Sequence, residues 1–249
     1  MESFYKAQPL VMAHRGAKDV APENTLAAFL AAVELGADAI ELDVTRCATG
    51  EIVVIHDDTV DRTTDGTGPV DALSLDRLRV LDAGSWFKPV FAGERIPLLE
   101  EVLDRVGDQV LLNIEIKRQR NASDGLEREI ARLLDVYGAV NDAIISSFDP
   151  MALWRMRRVA PELPRALLYA GGMPLALRRA WGRHLVAPQA LHPHFSMVDA
   201  EYMSWAQDRG YRVNVWTVNE PDDISRMAEL GVDAIITDHV EATRGILGL

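Results

Sequence analysis

The 249-residue sequence predicts an α/β fold, a (β/α)8 TIM barrel with a β-hairpin extension on strand 2 and a small inserted cap. Three observations carry this expectation. Short apolar runs alternate with segments of helical period, the pattern of right-handed βαβ units around a parallel sheet. Nine strand-like runs occur, but the second and third are joined by too few residues for a parallel crossover. They therefore form an antiparallel hairpin, and eight βα units remain. Finally, the length and a 48% hydrophobic content suit one large core.

The first strand, Leu10-Val11-Met12-Ala13, ends in His14-Arg15-Gly16, where the glycine permits a tight turn. Pro22-Glu23-Asn24-Thr25 opens a helix over 26–35, with Asn24 or Thr25 as its cap, and Gly36 ends it. A strand over 37–46 follows, in which Glu41 and Asp43 are two apart and share a face. Ala48-Thr49-Gly50 turns the chain into a returning arm over 51–55 that ends in His56-Asp57-Asp58. With the turn centred on Thr49, Asp43 lies opposite Ile55, and the arm brings His56 back beside Glu41 and Asp43.

Residues 59 to 97 break the pattern with polar turn residues, one short helix within 74–81, and the aromatics Trp86, Phe87 and Phe91. They are read as a cap over the mouth, with Trp86 or Phe87 facing a ligand. Regular alternation then resumes: helix 99–106, strand 110–117, helix 126–137, strand 143–148, helix 151–159 and strand 165–169. Helix 175–181, a weaker strand 185–192, helix 200–209, strand 212–218, helix 222–230 and strand 234–237 complete it, before Asp238 and a short tail, 243–249. The whole, 1–249, reads as one domain with an insertion at about 59–97.

With 26 basic against 38 acidic residues the formal charge is −12, which argues against nucleic-acid or anionic-membrane partners. An anionic small molecule is still compatible, because a local group of cations can invert the field in a cleft. The single cysteine, Cys47, cannot form an internal disulfide and reads as a small residue near a turn. No leader and no membrane span of roughly 18–20 apolar residues is read, so the expected location is cytoplasmic.

Barrel sites sit at the carboxyl ends of the strands. Collected there are His14 and Arg15, Glu41 and Asp43, His56 from the returning arm, Glu115 and Lys117, Trp216, and Asp238. Burying Glu41, Asp43 and Glu115 together is costly unless they share a cation. One such carboxylate would more simply pair with Arg15 or Lys117, but three on neighbouring strands are hard oxygen ligands for Mg²⁺ or Ca²⁺. Arg15 and Lys117 can then hold a phosphate. Each histidine alone is more often structural; His14 and His56 at one rim make an acid/base pair.

His14-Arg15-Gly16, Pro22-Glu23-Asn24-Thr25, Glu41-Leu42-Asp43, His56-Asp57, Glu115-Ile116-Lys117, Trp216-Thr217-Val218-Asn219 and Thr237-Asp238 resemble the glycerophosphodiester phosphodiesterases, most of all their short cytoplasmic bacterial members. Asp61-Arg62-Thr63-Thr64 and the stretch from Ile96 to Leu103 look like that family's insertion region. The resemblance implies metal-dependent hydrolysis of deacylated phospholipids, such as glycerophosphocholine or glycerophosphoethanolamine, to sn-glycerol 3-phosphate and an alcohol. It implies Glu41, Asp43 and Glu115 as metal ligands, His14 and His56 as acid and base, and Arg15 and Lys117 on the phosphate. Trp216 looks like a wall of the substrate pocket, with a barrel-core aromatic equally compatible. Glu23 either orients Arg15 or serves its helix N-terminus.

Leu191-His192-Pro193-His194 leaves other readings open. His192 and His194 could hold zinc in an amidohydrolase-like hydrolase, although those enzymes carry His-x-His on their first strand; a histidine lining the pocket is the simpler expectation. A catalytically silent phosphodiester-binding barrel, and a lipid-acting enzyme with Trp86, Phe87 and Phe91 as an apolar rim, are the remaining rivals. Asp57 and Asp58 read as turn or cap residues, and His184 and His239 as ordinary surface residues.

Overall fold

The computed structural model describes residues 4–5, 9–117 and 125–249. Part of the segment read for a leader, 1–3 and 6–8, and residues 118–124 lie outside the described residues. In chain order the elements are β1 (Leu10–His14), α1 (Leu26–Glu34), β2 (Ala39–Arg46), β3 (Ile52–Val54), α2 (Leu75–Leu78), α3 (Leu99–Val106), β4 (Leu111–Ile116), α4 (Leu126–Val136), β5 (Ala143–Ser147) and α5 (Pro150–Val159). Then come β6 (Arg165–Tyr169), α6 (Leu175–Arg178), α7 (Arg183–Val186), β7 (Ala190–Pro193), α8 (Ala200–Gln207), β8 (Arg212–Val215), α9 (Pro221–Glu229), β9 (Ala234–Thr237) and α10 (Val240–Leu247).

The strands run in the order β1-β9-β8-β7-β6-β5-β4-β2-β3, and β1 also pairs with β2, which closes the barrel. Every barrel pairing is parallel; only β3 is antiparallel, against β2. Ile55 N–H donates to the Asp43 carbonyl at 3.0 Å, so the hairpin register is the expected one. Alternation sorts each strand into an inner and an outer row. On β1, Val11 and Ala13 pack outward in the core shared with the helices, while Leu10 and Met12 join Ala39, Ile144, Ala166, Ala190, Ala234 and Ile236 inside the barrel. Phe4 and Tyr5 pack into this inner cluster, and the Asn214 amide donates to the Tyr5 hydroxyl at 2.7 Å. Towards the carboxyl ends of β1, β2 and β4 the inner row turns polar, with His14, Glu41, Asp43, Asn113 and Glu115, and a site can open there.

Two segments differ from expectation. The strand read over 185–192 begins only at Ala190; residues 183–186 are helical, and the helix read over 175–181 stops at Arg178. Ala180 and Ala187 sit at φ 49° and 46°, which breaks the segment on both sides of α7. A four-residue apolar run carries no period that separates one helical turn from a strand start. Most of the tail read over 243–249, through Leu247, belongs to α10, which buries Val240 and Thr243 and sends Arg244 to the Gly36 carbonyl at 2.6 Å.

Residues 59–97 fold onto the hairpin. Val60, Val70, Leu78, Ala83 and Ile96 form a cluster with Cys47, Val53 and Ile55. Trp86 Nε1 donates to the Ala83 carbonyl at 2.9 Å, and its ring meets Phe87 edge-on. The segment contributes no side chain to the cleft described below, so the expectation that Trp86 or Phe87 faces the ligand is not met. Among the described residues no helix is long and apolar enough to cross a membrane.

Candidate active site

The turn after β1 builds the first part of the site. Gly16 has φ 82°, and a Cβ there would lie 2.7–2.8 Å from Ala28, so only glycine fits against α1. Arg15 itself is left-handed at φ 59°, a cost a β1 end normally avoids. Its N–H donates to Glu41 Oε2 at 3.1 Å, and its carbonyl accepts from the Asn24 N–H at 3.0 Å. The Pro-Glu-Asn-Thr run divides its work by residue. Glu23 takes the Arg15 guanidinium at 2.9 Å, Asn24 donates to Asp43 Oδ2 at 2.9 Å, and Thr25 caps α1 through Ala28 N–H at 3.3 Å. Glu23 therefore orients Arg15, and Thr25 is the cap.

Glu41, Asp43 and Glu115 converge with ligand oxygens all within 4.8 Å of one another, and all three are buried. Burial, then Asp43 and then the third carboxylate, push Glu41 well above the usual carboxylate range. Glu115 is pushed up to about 7 by burial and by Asp43. Burial also opposes the Asp43 charge, but Lys117 and Arg15 outweigh it and hold Asp43 below its ordinary value. Three anions thus compete for two cations. Lys117 Nζ lies 3.3 Å from Asp43 and 2.9 Å from Glu115, and Arg15 Nε lies 3.4 Å from Asp43. A divalent cation held by oxygen ligands fits this trio and relieves the competition. Both basic residues here engage carboxylates, which is the ion network weighed above for one carboxylate; the trio still exceeds what two monocations neutralise.

Both histidines line the same cleft as Glu41 and Glu115. His14 Nδ1 meets Asp238 Oδ1 at 2.7 Å, and its Nε2 lies 4.0 Å from Glu41. Asp238 is itself held by Lys18 at 3.0 Å and by the Asn219 amide at 2.9 Å. His56 Nδ1 meets Asp57 Oδ1 at 2.6 Å. Arg62 donates to Asp57 at 2.7 and 3.1 Å and to Glu23 at 2.7 and 3.0 Å, joining the support of His56 to the support of Arg15. Burial lowers both imidazoles below their ordinary value, against the pull of the neighbouring carboxylates. Asp57 is therefore a partner of His56 rather than a turn residue. Asp57, Arg62, Asn24 and Asn219 carry supports that spacing alone did not assign.

Around these groups lies a cleft of about 210 Å³, lined by His14, Arg15, Glu41, His56 and Glu115 on its charged side. Phe148, Leu168, Trp216 and Ile236 make the apolar side. Trp216 is thus a wall of the cleft; its Nε1 donates to the His192 carbonyl at 2.8 Å, and Phe148 meets it edge-on. His192 is fully buried, with Nε2 at 2.8 Å from the Asn214 amide, and it does not line the cleft. His194 Nδ1 turns to Ser196 at 2.8 Å. Among the described residues the acidic trio is the only group of three or more potential ligands, so His192 and His194 gather no zinc site. His239 lies at the surface, as expected, 3.2 Å from Asp19.

The model of the glycerophosphoryl diester phosphodiesterase family matches residues 14–242. A glycerophosphodiester phosphodiesterase of Caldanaerobacter subterraneus is 43% identical over 234 residues, which span 93% of this chain and 95% of the relative. One from Bacillus subtilis is 32% identical, over 92% of this chain and 83% of its own. Among solved structures, an Oleispira antarctica phosphodiesterase in complex with the product sn-glycerol-3-phosphate superposes with TM-score 0.84 at 31% identity, over 97% of both chains. A glycerophosphodiester phosphodiesterase from Agrobacterium tumefaciens gives 0.84 at 29% identity, over 96% of this chain and 100% of the other. The motifs read at the strand ends, the site they build and a family match from His14 onward converge, and the chain belongs to the glycerophosphoryl diester phosphodiesterase family.

Proposed function

We propose that this chain, acting as a single domain, hydrolyses glycerophosphodiesters to sn-glycerol 3-phosphate and an alcohol, with deacylated phospholipids such as glycerophosphocholine or glycerophosphoethanolamine as substrates. The observation that carries this reading is the meeting, in one cleft, of a buried carboxylate trio and two carboxylate-backed histidines. Glu41, Asp43 and Glu115 would hold Mg²⁺ or Ca²⁺. When bound, such an ion supplies positive charge to the phosphoryl oxygens. Arg15 and Lys117, already drawn to the trio, would place their charge on the same phosphate. Trp216 would bound the substrate on the apolar side.

His14 and His56 divide the proton transfers: one takes the proton of the nucleophile and the other gives one to the departing alcohol. Asp238 and Asp57 hold the two Nδ1 atoms, which leaves each Nε2 for the reacting atoms. The glycerol unit carries a hydroxyl on the carbon next to the phosphate ester. Attack by that tethered hydroxyl spares the enzyme from orienting a separate water. A five-membered cyclic phosphate then forms, and water opens it with the two histidine roles reversed.

A product-resolved assay on a panel of glycerophosphodiesters, with and without chelator, tests the reading. The expected result is sn-glycerol 3-phosphate in the presence of divalent metal and none after chelation. Full activity in a metal-stripped preparation would overturn the metal assignment. Turnover of a 2-deoxy substrate at the normal rate would overturn the tethered nucleophile and leave the rest.

A further inference from the structure

Two polar side chains in the cleft have no role in the chemistry above. Asn113 on β4 and Ser146 on β5 line the cleft and are 1% and 0% exposed. Neither Asn113 Nδ2, Asn113 Oδ1 nor Ser146 Oγ has a hydrogen-bond partner. An unpaired buried amide or hydroxyl costs roughly 1–3 kcal/mol, so groups of this kind mark a place where a polar ligand sits. Their position is fixed by register. Asn113 pairs across with Glu41, and Ser146 with Glu115. Asn113 is also two residues before Glu115 on the inner row, about 6.6 Å deeper in the barrel. Beside them, Ile144 pairs across from Asn113 and Ala166 across from Ser146, and both belong with Met12 to the apolar cluster inside the barrel.

A ligand matched to this floor must both donate and accept, and it must be short. It must also present C–H surface to Leu168, Phe148 and Ile236 on the apolar side. A small polyol has that character: hydroxyls on one edge, methylene and methine carbons on the other. With the phosphate and the reacting hydroxyl at the carboxylate trio, a three-carbon chain directed inward carries its last hydroxyl to Asn113 and Ser146. We propose that Asn113 and Ser146 form a subsite that reads the terminal hydroxyl of the glycerol unit, the one that takes no part in bond breaking. The inference rests on the glycerophosphodiester reading and narrows it. Diesters whose terminal hydroxyl is absent or acylated should be poor substrates, because the amide then stays unpaired and an acyl chain meets a closed floor.

The test compares glycerophosphoethanolamine with its propane-1,2-diol analogue, which keeps the reacting hydroxyl and lacks the terminal one. Wild-type kcat/KM should favour the glycerol diester by about 100-fold or more. Asn113→Leu, close in size, should cut that ratio to within about fivefold, and Ser146→Ala should lower it in the same direction. An equal loss on both diesters marks a floor that holds only water, and overturns the proposal. A changed ranking of head groups with an unchanged glycerol-to-diol ratio places the alcohol on the floor, and also overturns it. Calorimetry with Mg²⁺ or Ca²⁺ alone should show the same affinity in Asn113→Leu as in wild type; a large loss would make Asn113 a metal ligand instead. Inhibition of the wild-type enzyme by glycerol phosphate against propanediol phosphate gives the same ratio without a variant. Wild-type turnover with no preference between the diesters sinks this inference alone, whereas no sn-glycerol 3-phosphate from any diester sinks the functional reading as well.

Discussion

The two histidines face one cleft but are held by different kinds of structure. His14 ends a barrel strand, its side chain is 15% exposed, and its carboxylate, Asp238, follows the strand that pairs with β1. Lys18 and Asn219 hold Asp238 in turn. His56 ends the returning arm of a hairpin, is 33% exposed, and leans on its own chain neighbour Asp57. Asp57 is shared with Arg62, which comes from the irregular segment. One station is fixed by the closed sheet; the other is fixed by a guanidinium that spans two loops. The difference teaches that two imidazoles lining one cleft can rest on unequal mechanical support.

That contrast can be broken in stages. The largest effect should come from the imidazoles themselves: His14→Ala and His56→Ala should each lower kcat by roughly 10³-fold or more, since each removes a whole proton-transfer partner. Equal effects would support shared labour, and a His56 variant with near-normal kcat would break the pairing. Next come the carboxylates. Asp238→Asn should cost on the order of 10²-fold in kcat, and Asp57→Asn about 10-fold, because Arg62 and solvent remain to orient the more exposed ring. A reversed order would show that the sheet is not the firmer support. Arg62→Ala should lower kcat/KM a further few-fold only, and should shift the kcat of wild type more than that of Asp57→Asn, as a double-mutant cycle would reveal.

The smallest effect concerns a third imidazole that sharpens the comparison. His192 is fully buried like a barrel residue but has an amide, not a carboxylate, beside it, and burial lowers its pKa to about 3. The unfolded chain takes up this proton below an ordinary pKa near 6.5 while the native chain refuses it. Stability is therefore whole above pH 6.5 and falls by up to about 1.4 kcal/mol per pH unit as pH drops from there towards 3. Urea unfolding of wild type and His192→Gln between pH 7 and about 4.5 checks this: the variant should lose that part of the acid slope.

Much of the site was legible because barrel geometry turns spacing into position. Glu41 and Asp43, two apart on a strand, had to share the inner row, and the hairpin register then had to return His56 to them. What escaped was support made across long separations. Asn24 reads as a helix cap, yet its side chain reaches Asp43 on the next strand. Asp57 reads as a turn residue, and Arg62 as one more polar residue in an irregular stretch, until the fold places Arg62 between Asp57 and Glu23. The expectation that Trp86 or Phe87 faces the ligand failed for a related reason: aromatics signal packing but not what they pack on, and here Trp86 and Phe87 pack on each other.

The pairing of His14 with Asp238 has a consequence for synthesis. Its members are 224 residues apart, and β9 is the last of the barrel strands in chain order. A growing chain can acquire the hairpin station early, since His56 and Asp57 are adjacent, but it cannot acquire the other until β9 has slotted between β1 and β8. The His14–Asp238 pair thus awaits the docking of β9, whatever the order in which the helices form. In refolding, recovered activity should trail or coincide with protection of the β9 amides from hydrogen exchange, and activity that precedes it would refute this order of events.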